Sequence, residues 1–166
     1  MTRRLQTGNP MQADFDIQRA VTSIRTPDDD QFRLWITAVE AESGCSYKLG
    51  IRIVDEDEAR RFNREYRNRD YATNVLSFPA DLPDGLPAKV REPELGDLLI
   101  CAPVVIREAG EQHCPVDDHW AHLTVHGILH LLGYDHEQPE DATVMESLET
   151  EILASLGISD PYAEPA

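Results

Sequence analysis

Apolar positions recur along the chain in two periods, one of strands and one of helices. Phe15 and Ile17 alternate with polar neighbours across residues 14–21, and Tyr47, Leu49, Ile51 and Ile53 alternate more cleanly, so each segment is predicted to be a strand. Val75 to Phe78 and Leu95 to Cys101 predict two further short strands. Helical spacing follows the first strand: Phe32, Trp35, Ile36 and Val39 lie three and four residues apart behind Pro27 and the acidic run Asp28, Asp29, Asp30. Asp55 with Glu58 three residues on is a capping-box-like start to a second helix. Its inward face would be Ala59, Phe62 and Tyr66, and its other face carries Arg60, Arg64 and Arg67. After Pro103 the pattern is wholly helical, over residues 103–113, 117–132 and 140–156, and Gly157 closes the last helix. Together these elements predict an α+β fold, a small mixed sheet of about four strands with packed helices. Pro79, Pro83, Pro87 and Pro93 rule out regular structure between the last two strands and predict an exposed loop. No repeat or linker divides the chain, so residues 14–162 are expected to be one domain behind a flexible N-terminal extension, residues 1–13.

Composition narrows the class. No run of 18 apolar residues exists and the charged N-terminus has no apolar stretch behind it, so neither a membrane span nor a signal peptide is expected. Cys45, Cys101 and Cys114 form no CxxC pair and are odd in number, which fits reduced thiols and a cytoplasmic protein. The net charge is −16, opposite to the basic footprint of a protein that grips a phosphate backbone non-specifically. The charge is unevenly spread. From Arg107 onward there are 13 acidic residues and one basic one, whereas Arg60, Arg61, Arg64, Arg67 and Arg69 face only Glu65. A focused basic strip is therefore compatible with RNA. The acidic half would be a solvated helix face or a surface for a basic partner such as a ribosomal protein.

The candidate chemistry lies in HGILHLLGYDH, residues 126–136. His126 and His130 are one turn apart on one helix face, and Gly133 can take the left-handed conformation that ends the helix and brings His136 back to the same point. Three imidazoles with one position left for water suit a catalytic zinc ion, although other divalent transition metals accept imidazole as well. His122 lies eight residues before His130, about 12 Å along a helix, so those two cannot share an ion with His126. His122 is expected behind the ligands or in a structural hydrogen bond, and His113 and His119 on the helix surface. The helix is apolar over most of its circumference, through Trp120, Leu123, Val125, Leu129 and Leu132, so it should be central and buried. Zinc peptidases of related spacing place glutamate, their general base, directly after the first histidine, and here that residue is Gly127.

Three segments, HWAHLTVHGILHLLGYDH (119–136), YRNRDYATNVLSFP (66–79) and LGDLLI (95–100), resemble the YbeY family, bacterial single-strand-specific endoribonucleases of rRNA maturation. The resemblance runs from about residue 14 to residue 162 and leaves out the first dozen residues and the insert around 81–94. It implies a metal-dependent endoribonuclease acting on single-stranded RNA, chiefly rRNA near the small-subunit 3′ end, in contact with the ribosomal small subunit and not with DNA or membrane. It further implies that His126, His130 and His136 hold the metal, that His126 and Arg67 are catalytic, and that Arg67 takes the phosphate. From spacing alone Arg67 reads as a surface arginine. Thr73, Asn74 and Ser77 could donate to RNA or merely cap a strand. Asp97, a carboxylate in an apolar strand, should be either a partner of a ligand histidine or half of a salt bridge. The alternatives are a non-catalytic ribosome assembly factor with a structural metal and, less favoured because of Gly127, a zinc peptidase.

Overall fold

The structure, a computed structural model, describes residues 13–80, 94–135 and 137–162. The expected N-terminal extension up to residue 12, most of the proline-containing insert (81–93) and His136 lie outside the described residues. Among the described residues nine elements follow in order: β1 (Asp14–Arg19), α1 (Asp29–Ser43), β2 (Lys48–Val54), α2 (Glu56–Arg67), β3 (Val75–Pro79), β4 (Glu94–Cys101), α3 (Ala102–Gln112), α4 (Val116–Leu131) and α5 (Pro139–Ser155). The α+β reading holds, and the three C-terminal helices lie within a residue of the expected spans.

The sheet is mixed, in the order β1-β2-β4-β3. β1 and β2 run parallel, β2 and β4 run parallel, and β3 pairs antiparallel with β4. Alternation along the central strands divides the interior into two layers. Leu49, Ile51, Ile53, Leu98 and Ile100 face α1, α4 and α5, where Phe32, Ile36, Trp120, Ile128 and Met145 are fully buried. On the opposite face Val54, Leu76, Leu99 and Cys101 pack with Ala59 of α2 and Val104 of α3. Capping fixes where the first two helices begin. The Asp28 carboxylate accepts from the Gln31 backbone N–H while the Gln31 side chain accepts from that of Asp28, and Asp55 accepts from Glu58.

One expectation about α2 is corrected. Ala59 is buried and Phe62 half-buried, but Tyr66 is 64% exposed. The buried polar residue of that helix is Asn63, whose amide donates to the Tyr71 carbonyl at 2.8 Å. Tyr66 instead stacks on Phe62 (5.8 Å between ring centres) and meets Phe78 edge-on (5.1 Å).

α4 is the central helix expected from its apolar circumference, packed against α1, α3, α5, β3 and β4. It ends as Gly133 predicts. That glycine has φ +105°, its N–H donates to the His130 carbonyl, and the Tyr134 N–H donates to the Leu129 carbonyl. This pair of bonds is the Schellman pattern that reverses the chain after a helix. Gly127 has a packing role. A Cβ there would lie 2.7 Å from Leu98 Cδ2 and 3.3 Å from Val75 Cγ2, so any larger residue would have to displace the buried Leu98 side chain or lift α4 from the sheet. Among the described residues no helix is long and apolar enough to cross a membrane.

Candidate metal and phosphate site

Where α4 crosses the edge strand β3, a trough of about 650 Å³ opens, lined by His126 and His130 on one side and by Arg67, Thr73 and Ser77 on the other. The His126 and His130 Nε2 atoms are 3.1 Å apart. Two ligands each about 2.1 Å from a tetrahedral zinc would be roughly 3.4 Å apart, so this pair fits one ion with little movement. Asp135 and Glu137, the neighbours of His136, both line the same trough. The Asp135 carboxylate accepts from the Glu137 N–H at 3.1 Å.

Behind the histidines lies a residue that sequence reasoning missed. Glu149 of α5 is fully buried. Its Oε1 is 2.7 Å from His126 Nδ1, while Oε2 is 3.0 Å from His122 Nε2 and 2.6 Å from the Tyr162 hydroxyl. Burial alone would raise its pKa, yet the hydrogen bonds from His122, His126 and Tyr162 bring it down to about 2. An ionised carboxylate only accepts, so His126 carries its proton on Nδ1 and presents the Nε2 lone pair to the trough. Glu149 was legible in principle. Met145, Glu149, Ile152 and Leu153 fall on one helical stripe, and a carboxylate on an apolar stripe needs buried partners. His122 stands behind His126, joined to it through this carboxylate. His122, His126 and Glu149 are themselves close enough to hold a cation, but such an ion would displace the hydrogen bonds that satisfy the buried carboxylate.

His119 is corrected from surface to interior. It is 4% exposed, and its Nε2 lies 2.8 Å from Glu108 of α3, because α3 covers that side of α4. His113 is exposed as expected and ends α3 with φ +54°. Glu108 also accepts from the Asn74 amide at 3.0 Å, while Asn74 Oδ1 accepts from the Val75 N–H. The Asn74 side chain is thereby turned to the protein. Ser77 donates to the Gly127 carbonyl at 3.1 Å and ties β3 to α4.

Among the described residues Asp97 pairs with neither a histidine nor a basic side chain. Leu98 faces α4, so strand alternation puts Asp97 on the opposite face, in a second cleft with Phe62, Tyr66 and Phe78. The arginine strip is also narrower than its sequence suggests. Arg60 pairs with Asp70 through two bonds of 2.7 and 3.0 Å, and Arg64 approaches the same carboxylate at 3.7 Å. Arg67, exposed at the end of α2, is the arginine of the strip that lines the trough.

Residues 16–157 match the family described as Endoribonuclease YbeY. A Stenotrophomonas maltophilia (strain R551-3) protein named Endoribonuclease YbeY is 54% identical over 157 residues, 95% of this chain and 98% of the relative. Proteins of the same name from Xanthomonas campestris pv. campestris (strain B100), 52% identical over 157 residues with the same coverage, and Halorhodospira halophila, 55% identical over 144 residues (87% of this chain, 93% of the relative), are equally similar.

Proposed function

The chain belongs to the Endoribonuclease YbeY family and is an endoribonuclease, and we propose that it cuts single-stranded RNA in the trough between β3 and α4 with one divalent metal ion, zinc being best suited. His126, His130 and His136 would hold the ion, and the 3.1 Å approach of the first two Nε2 atoms is the observation that carries this reading. A bound ion would supply Lewis-acid polarisation of the scissile phosphate and activation of water.

The remaining roles belong to the protein. Glu149 keeps the Nδ1 proton of His126 in place and so keeps Nε2 available. Arg67, across the trough, would hold a non-bridging phosphate oxygen through its guanidinium as negative charge gathers during cleavage. The peptidase alternative lacks its general base, since Gly127 occupies that position against Leu98. A purely structural metal would not call for an arginine lining the same trough.

The substrate we infer is rRNA near the small-subunit 3′ end, met in the cytoplasm. The net charge of −16, with Arg60 and Arg64 engaged by Asp70, opposes a strong general grip on RNA. Specificity would then come from a ribosomal partner, and the acidic C-terminal half offers charge complementarity to a basic ribosomal protein. The test is a set of single variants, His126→Ala, His130→Ala and His136→Ala, in protein purified without a histidine tag. Each should lose bound metal and single-stranded RNA cleavage together while the circular-dichroism spectrum is kept. Full metal content and full cleavage in any one of them removes that histidine from the site.

A further inference from the structure

The cleft on the outer face of the sheet shares Tyr66, Phe78 and Pro79 with the catalytic trough, so the two form one continuous surface around the β3 edge. Its floor is a lateral row of residues in register across all four strands: Asp16, Gly50, Asp97 and Phe78. Gly50 is a notch in that row. A Cβ there would run into Asp97 Oδ1, so the carboxylate lies directly over the glycine backbone and would have to swing aside for any larger residue. Phe78 is directly opposite Asp97 on the neighbouring strand, and Tyr66 stands edge-on to Phe78 at 5.1 Å. The cleft measures about 530 Å³, within the range of small-molecule sites.

We propose that this cleft seats a guanine base of the single-stranded RNA substrate, stacked on Tyr66 and Phe78 and read at its Watson–Crick edge by Asp97. The inference rests on the endoribonuclease reading of the adjoining trough. An aromatic ridge leading away from a phosphate-cleaving site suits an unpaired base, because stacking on aromatic rings is how single strands are held. Asp16 and Asp97 repel a phosphate but accept from a base. Among the described residues the one cation on the cleft wall, Arg52, is already engaged by Glu58 and Gln18. Burial first, then the nearby charges of Glu94 and Asp16, push the Asp97 pKa up, so a donor that satisfies this carboxylate is favoured. Guanine presents two adjacent donors, N1–H and N2–H, which match the two oxygens of one carboxylate. Adenine and cytosine set an acceptor beside their amino group, and uracil flanks its single N–H with two carbonyls. The second carboxylate oxygen would face an acceptor in each case.

The test is fluorescence anisotropy of labelled octaribonucleotides, seven uridines with one guanosine or one adenosine, at low salt with chelator present so that no cleavage is needed. Wild type should bind the guanosine octamer about tenfold tighter than the adenosine one. Asp97→Asn should bring the two affinities within about twofold of each other, and Tyr66→Ala should weaken the guanosine octamer about tenfold while Tyr66→Phe does not. Equal binding of the two octamers by wild type, or an Asp97→Asn protein that keeps the preference, overturns the proposal even if RNA cleavage is intact. Preserved base preference in a protein that cleaves no RNA would support the subsite and count against the catalytic reading instead.

Discussion

His126 Nδ1 lies 2.7 Å from Glu149 Oε1, and Glu149 is fully buried. This pairing links α5 to the mouth of the trough and fixes which nitrogen of His126 faces it. Glu149→Gln, close in size but able to donate from one end, should therefore lower metal affinity about 10- to 100-fold, read by competition with a chromogenic chelator. Unchanged affinity would mean that His126 is oriented by something other than this carboxylate.

Arg67 contributes charge to the trough and little to the fold, being exposed at the last turn of α2. Arg67→Ala should cut kcat for a single-stranded RNA substrate by about 100- to 1,000-fold with the melting temperature unchanged. Arg67→Lys keeps the charge without the planar fork and should recover only part of the loss. An active Arg67→Ala protein, freed of contaminating ribonuclease, would strip this residue of its role.

Gly127 should be intolerant of even one methyl group, since its Cβ would meet Leu98 and Val75. Gly127→Ala is expected to cost about 1 to 3 kcal/mol in urea denaturation, as overpacked cores do. Stability equal to that of wild type would show that the Leu98 side chain yields easily.

Much of this was legible in the residues. Strict alternation in Leu49, Ile51 and Ile53, and the 3–4 spacing of Phe32, Trp35, Ile36 and Val39, report faces that local periodicity dictates. The His126, His130 and Gly133 pattern was readable for the same reason, because a helix turn and its cap are local. What was not legible depends on which helix covers which. His119 looked like a surface residue because nothing near it in sequence reveals that α3 supplies Glu108. Tyr66 matched the inward stripe of α2, yet in the fold it stands 64% exposed beside Phe78. Asp97 was ambiguous because alternation gives two faces without saying which one α4 takes.

The Glu108 cluster predicts a pH dependence of stability. Burial works to raise the Glu108 pKa, but hydrogen bonds from His119 and Asn74 outweigh it and leave the group below the usual carboxylate range. A depressed folded-state pKa contributes stability that is present above the unfolded value, about 4.3, and is lost as pH falls through the folded value. Wild type should therefore lose stability from about pH 5 downward more steeply than Glu108→Gln, compared by urea midpoints at pH 3.5, 4.5 and 6. Parallel curves for the two proteins would show that this carboxylate is not held in its ionised form.

Metal analysis joined to an RNA cleavage assay bears most directly on the central claim, that His126, His130 and His136 hold the ion used for cleavage. Untagged protein is expected to carry about one zinc per chain. A chelator should abolish cleavage of single-stranded RNA while the helical circular-dichroism signal persists, and one equivalent of zinc should restore it. Undiminished cleavage by metal-free protein would contradict the account, as would collapse of the helical half on chelation, the behaviour of a structural metal.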